Sequence, residues 1–332
     1  MKPSEIQEYL IFCMENRFPA LITSKPGCGK SDIIINSARR LGQNIIISHP
    51  VVSDPTDYKG LPFPTKKGVA DFLPFGDLHQ LIVAQEPTVF FLDDLGQAAP
   101  AVQAACMQLI LTRRINGHVI NDQVTFIAAS NRRQDKAGVR GILEPVKSRF
   151  VSIVELTVDT DDWVKWAIQH NMPTELIAFA RFKPSMLDEF NPTQDLVNYP
   201  SPRTFANVGK QQLAGLVEKL EFEVFKGAAR EAFATEYRTF LKIYRELPSV
   251  DQIILSPGTA IMPDDPGAQY AISAALARKL SDSNIKSIIT YLKRLPDEIG
   301  VACIKDGVTR SPEVAHTREF IEWSTEKSDL MI

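Results

Sequence analysis

No apolar run in the sequence approaches the roughly 18 residues that a membrane-spanning helix needs. The chain opens Met1-Lys2-Pro3-Ser4-Glu5, with no signal-peptide core behind it. The expectation is a cytoplasmic protein without a membrane anchor. Cysteine is scarce: Cys13, Cys28, Cys106 and Cys303 stand far apart, and no CxxC or Cys/His spacing suggests zinc. They read as free thiols in a reducing compartment. A basic excess is missing too. Lys+Arg number 37 and Asp+Glu 40, for a net charge of −3, which argues against broad non-specific nucleic-acid binding and leaves room for a local basic patch. There is no short internal repeat and no low-complexity tract. What is present is an ordinary packed composition, 44% hydrophobic and 23% charged over 332 residues, a length that suggests about two domains.

One stretch organises the rest. Ser24-Lys25-Pro26-Gly27-Cys28-Gly29-Lys30-Ser31 follows the apolar run Pro19–Thr23 and precedes Asp32 and the helical pattern that runs to Leu41. The order is strand, Gly-rich loop, helix. Glycines let several backbone N–H groups face one anion, and the helix offers its positive end. Lys30 can reach β- and γ-phosphates, and the Ser31 hydroxyl can ligate magnesium. The usual pattern G-x-x-x-x-G-K-[ST] places glycine where this chain has Ser24. Cys28, inside the loop near Lys30, has two readings: a thiol with a lowered pKa, or a small residue tolerated in the turn. The second is favoured.

The second informative stretch is Thr88-Val89-Phe90-Phe91-Leu92-Asp93-Asp94. A buried parallel strand is apolar on both faces, and ligands of open α/β sheets sit beyond the strands' carboxyl ends. Asp93 is therefore placed to hold a magnesium shell, and Asp94 to orient or deprotonate water. Val124–Ala129 reads as another buried strand, ending in Ser130-Asn131, where Asn131 can bond the attacking water or the γ-phosphate.

Around these lie a helix over 4–17 with Ser4 as its cap, a strand at 44–47 and a Pro/Gly-rich insertion or loop with short elements over 48–86. A helix over 100–111 follows, then a hairpin over 113–120 turning at Asn116-Gly117, and a strand over 151–156. Arg149 precedes that last strand; by itself such an arginine reads as a surface residue with a salt-bridge partner, and a role as a trans-acting arginine depends on family resemblance. Beyond 157 strand signals fade. Asp161 and Asp162 open a helix, Ser201-Pro202-Arg203 heads another, and a long helical region covers 211–247. Residues 257–267 make a boundary, and helices are expected near 267–281, 283–294, 296–304 and 314–325.

These pieces, in this order, resemble AAA+ ATPases, and more closely their MoxR-like group, in which such a protein is commonly paired with a von Willebrand factor A domain protein. Phe90 to Leu95 followed by Ala98 to Gln103 is similar to the group's second acidic motif. Arg113 to Ile120 looks like its hairpin before the first sensor, Ala128 to Asn131 like that sensor, and Ser148-Arg149-Phe150 like its arginine-finger motif. Ser201-Pro202-Arg203 resembles the second sensor, in the lid. Segments 231–248 and 291–296 also look like parts of the group's C-terminal half. The resemblance implies an α/β fold: a P-loop three-layer αβα domain with a five-stranded parallel sheet, followed by an all-α lid and C-terminal helices. The expected division is 1–157, 158–250 and 251–332. It also implies ATP and Mg²⁺ as ligands, a homo-oligomer that is usually a hexameric ring with ATP at subunit interfaces, and a pore-side insertion around 54–75.

The leading expectation is an ATPase that remodels a partner protein or complex. Lys30 and Arg149 stabilise charge, Ser31 and Asp93 hold Mg²⁺, Asp94 and Asn131 place the water, and Arg203 links nucleotide state to the lid. Asp94 stands where glutamate is usual, so slow hydrolysis is expected, since a misplacement of about 1 Å can cost roughly 10²-fold in rate. Two alternatives stand beside it. One is a nucleic-acid motor subunit, with Arg113, Arg114 and His118 tracking a phosphate backbone. The other is a nucleotide-bound scaffold with negligible turnover.

Overall fold

The computed structural model describes residues 1–66, 68–135, 141–191 and 196–331. It divides into two compact units, Met1–Val158 and Asp159–Ile332.

Among the described residues, nine strands lie in the first unit: β1 (Ala20–Ser24), β2 (Asn44–Ser48), β3 (Leu61–Pro64), β4 (Ala70–Leu73), β5 (Thr88–Leu92), β6 (Arg114–Ile115), β7 (His118–Val119), β8 (Val124–Asn131) and β9 (Ser152–Glu155). Five of them form one parallel sheet in the order β2-β5-β8-β1-β9. The central strands β5 and β8 are buried throughout, which is why both read as unbroken apolar runs in the sequence. Alternate residues serve opposite faces. Ala20, Ile22, Val89, Phe91, Ile127 and Ala129 pack with helices α1 (Pro3–Asn16) and α2 (Lys30–Arg40). Leu21, Phe90, Leu92, Phe126 and Ala128 pack with α3 (Pro55–Lys59), α4 (Gly76–Val83) and α5 (Pro100–Thr112). The result is a three-layer αβα unit with a five-stranded parallel sheet, as expected. The first helix begins at Pro3, so Ser4 lies within its first turn and does not cap it.

The remaining strands make two hairpins. β3 pairs with β4 and β6 with β7, both antiparallel. Asn116 and Gly117 take positive φ in the tight turn between β6 and β7, as the Asn-Gly signal predicts. The two hairpins are clasped together. Asn116 Nδ2 donates to the Lys59 carbonyl at 2.8 Å, and an imidazole nitrogen of His118 bonds the Phe72 carbonyl at 2.6 Å.

Among its described residues the second unit contains helices and no strand. Asp159 caps the helix Thr160–Gln169 and Ser201 caps Pro202–Leu213, each side chain accepting from a backbone N–H three residues on. The long helical region expected over 211–247 consists of more than one segment. Gly215 adopts φ +86 after the helix Pro202–Leu213, a conformation that suits glycine and ends a helix. The next helix, Glu218–Arg245, is itself interrupted at Ala229 and Arg230, the latter at φ +72. The Arg230 guanidinium donates to the Asn191 and Asn198 carbonyls, contacts that compensate for the break. Phe179, Phe205, Phe233, Tyr237 and Phe240 pack ring against ring in this core, mostly tilted or edge-on. Beyond it run the helices Pro266–Lys279, Ile285–Leu292, Asp297–Arg310 and Arg318–Glu326. Among the described residues no helix is long and apolar enough to cross a membrane.

Candidate nucleotide site

The site lies at the carboxyl edge of the sheet, where β1, β5 and β8 end. In-register pairing sets Ser24 beside Asn131. The loop after β1 turns through Gly27 at φ +80 and Gly29 at φ +90. A side chain at Gly29 would meet nothing within 4 Å, so glycine is needed there for the backbone angle alone. The loop then enters α2, whose first turn carries Lys30, Ser31 and the exposed Asp32. An acidic residue at that end favours the helix dipole.

Lys30 is buried, 7% exposed, and its ammonium sits among neutral oxygens. Nζ donates to Asn131 Oδ1 at 2.8 Å, to Ser24 Oγ at 3.0 Å and toward the Lys25 carbonyl at 3.4 Å. Asn131 passes the chain on: its Nδ2 donates to Asp94 Oδ1 at 3.3 Å. The two neighbours dictate the amide's orientation, because an ammonium only donates and a carboxylate accepts. Ser31 Oγ donates to Asp93 Oδ2 at 2.8 Å. Asp93 is fixed from two further sides. Its N–H donates to the Ser48 carbonyl, and its Oδ1 accepts from the Asp94 N–H. Six of the residues singled out in the sequence, Ser24, Lys30, Ser31, Asp93, Asp94 and Asn131, therefore meet in one place. A hydroxyl beside a carboxylate at the head of a helix suits a hydrated divalent cation, and the loop's geometry suits phosphate oxygens.

Asp94 has φ +56. That left-handed conformation is uncommon outside glycine, and aspartate and asparagine tolerate it best. Arg132, just past Asn131, was not singled out in the sequence. Its backbone N–H donates to the Ser24 carbonyl, and its guanidinium grips Asp135 with two hydrogen bonds and Glu155 with one. Asp135 first, and then Glu155, hold its pKa above the ordinary value although burial opposes them. This cross-brace fixes the strand end that carries Asn131.

Cys28 is buried within the cluster that also holds Ile22, Ile34 and Ala38. Arg149, just past the short helix Glu144–Lys147, donates from Nη1 to its neighbour Ser148 Oγ at 2.8 Å, and its buried Nε has no hydrogen-bond partner among the described residues. Arg203 is exposed in the first turn of its helix in the second unit. Lys25, Pro26 and Gly27 lead from β1 into the turn, and the Lys25 carbonyl accepts from Ser24 and Lys30.

The hairpin residues weighed for a phosphate backbone are otherwise employed. Arg113 ends α5 at φ +50. It donates from Nη1 to the Val124 carbonyl and from Nη2 to the Asn121 carbonyl and lies over the Phe126 ring. Burial lowers its pKa. His118 is held by the clasp described above, leaving Arg114 exposed. A further link was not legible in the sequence. Tyr58 on α3 is buried, and its hydroxyl bonds Ser48 Oγ at 2.9 Å. Burial chiefly pushes its pKa up to about 12. Ser48 thus ties the insertion to Asp93.

No family model matches the sequence, and no curated protein does. Solved structures do align along most of the chain. A point mutant of Thermotoga maritima RuvB is 17% identical over 89% of this chain and 88% of its own, with a TM-score of 0.44. The RuvB Holliday junction branch migration motor of the same organism is 17% identical over 88% and 87%, with a TM-score of 0.40. NtrX from Brucella abortus in complex with ADP is 11% identical over 98% of this chain and 67% of its own, with a TM-score of 0.41. The fold rests on the strand order and register of the five-stranded sheet.

Proposed function

We propose that this chain is an ATPase of the AAA+ type, MoxR-like in its motif set, that binds and hydrolyses ATP to remodel a partner protein or complex. The observation that supports this best is the single network Ser24–Lys30–Asn131–Asp94 beside the pair Ser31–Asp93. Lys30 meets the β- and γ-phosphates, and the loop N–H groups cradle them. Magnesium, when bound beside Ser31 and Asp93, supplies charge neutralisation at the phosphate oxygens. Asp94 accepts the proton of the attacking water, and Asn131 holds Asp94 at the correct angle. Arg149 serves a neighbouring subunit's nucleotide in a ring, its guanidinium offsetting charge as the γ-phosphate leaves. Arg203 reports nucleotide state to the lid. The lid takes 158–250 and a helical extension takes 251–332. A von Willebrand factor A domain protein is the partner this reading favours, and the cytoplasm the compartment.

Phosphate release by the assembled protein tests the reading. Turnover lost in Lys30→Ala and in Arg149→Ala, and regained when the two are mixed, supports a site completed in trans. Activity that survives Lys30→Ala overturns it. The nucleic-acid reading is weaker: two of its three residues, Arg113 and His118, already bond backbone carbonyls.

A further inference from the structure

We propose that Ser24 is a positioning residue: its hydroxyl holds the Lys30 ammonium in place for a triphosphate, a task for which the usual glycine has no atom. The inference rests on the nucleotide reading above and adds a role for the one loop residue that departs from the common pattern.

Ser24 is the last residue of β1 and is fully buried, 0% exposed. It is not among the described residues with positive φ, so nothing in the backbone there calls for glycine. Its hydroxyl has one proton, and that proton goes to the Lys25 carbonyl at 2.6 Å. The oxygen's lone pairs are thereby turned toward Lys30, whose Nζ lies 3.0 Å away. Asn131 Oδ1 approaches the same nitrogen at 2.8 Å. Because Ser24 and Asn131 are register partners on adjacent parallel strands, the two oxygens reach the ammonium from neighbouring strand ends. A flexible four-carbon stem is thus fixed by two anchors before any ligand arrives, which reduces the ordering that binding must supply. The Lys25 carbonyl, the longest of these three contacts at 3.4 Å, is the one a phosphate oxygen replaces. With glycine at 24 the Ser24 anchor is lost, and the ligand itself must do more to set Lys30.

The test is a titration of the full chain with a fluorescent ATP analogue and magnesium, for the parent, Ser24→Ala, Ser24→Gly, Lys30→Met and the double variant Ser24→Ala/Lys30→Met. Melting temperatures establish that each variant is folded. Removing a hydrogen bond to a charged group is expected to weaken binding about tenfold in Ser24→Ala and in Ser24→Gly. If Ser24 acts through Lys30, the Ser24→Ala change has less than about a twofold effect once Lys30 is gone. A loss as large in the Lys30→Met background as in the parent overturns the positioning role, since it marks Ser24 as merely structural. So does a parent that binds ATP no better than Ser24→Ala. A parent that binds no nucleotide at all overturns the reading beneath it as well.

Discussion

Ser31 donates a 2.8 Å hydrogen bond from its hydroxyl to Oδ2 of Asp93. These are the two groups expected to face magnesium. Binding of ATP by the parent should therefore be tighter with magnesium than with a chelator. In Asp93→Asn and in Ser31→Ala that difference should shrink by about tenfold, corresponding to about 1.4 kcal/mol. Isothermal titration with and without the metal measures it. Equal metal dependence in parent and variants would remove the pair from the metal site.

Asp94 combines a carboxylate bonded to Asn131 with a left-handed backbone at φ +56. Asparagine tolerates that conformation well. Asp94→Asn is expected to keep its fold and its ATP affinity while phosphate release falls by at least about 10². Asp94→Glu should hydrolyse faster than the parent, because its carboxylate reaches one methylene further. It should also melt at a lower temperature, since a longer side chain suits a positive φ less well. A variant that hydrolyses no faster would count against the short side chain as the brake.

Asn131 stands between a cation and a carboxylate. Asn131→Ala should lower turnover about 10²- to 10³-fold with a smaller effect on ATP affinity. Asn131→Asp should be at least as slow, because a second carboxylate would face Asp94. Single-turnover phosphate release separates the chemical step from binding.

Within the second unit, Arg181 holds Asp306 through Nε at 2.8 Å and Nη2 at 2.5 Å, and its Nη1 reaches Asp161. Asp306 is 5% exposed. Arg181→Ala leaves that carboxylate buried without its principal partner and is expected to destabilise the protein by about 3–5 kcal/mol. The urea midpoint measures it. A loss of well under 1 kcal/mol would mean that water replaces the guanidinium.

Tyr58, whose pKa is pushed up to about 12 mainly by burial, gives a pH dependence with a defined sign. The folded state holds its proton more tightly than the unfolded chain does, so stability is intact below the unfolded pKa of about 10. It falls as pH rises from there toward 12. Denaturation of parent and Tyr58→Phe between pH 8 and pH 11 should show a steeper alkaline loss in the parent. Parallel curves would place Tyr58 in contact with water.

The features legible in the sequence are those that a short window of residues determines. Gly27 and Gly29 are visible because no other residue turns the loop so readily, and Asp93 and Asp94 because an apolar strand delivers them to the sheet edge. The Asn116-Gly117 turn is legible for the same reason. What escaped needed a partner far along the chain. Ser24 looks like an imperfect motif until the β1–β8 register sets it beside Asn131. Arg113 looks like a cation on a surface hairpin, yet it closes the backbone of 121 and 124. The helix Glu218–Arg245 breaks at Arg230, where carbonyls from the preceding segment receive the guanidinium, a contact that helical periodicity does not encode.

Ser48 has two neighbours of different kinds: its carbonyl accepts from the Asp93 N–H and its hydroxyl bonds Tyr58. The insertion therefore hangs from the same peg that steadies the acidic pair. Asn116 and His118 fasten a second hairpin to that insertion. Tension applied at the exposed Phe63 or Leu73 has a short route to Asp93, through Tyr58 and Ser48, and Ser48→Ala would cut the side-chain half of that tether while leaving its carbonyl half intact.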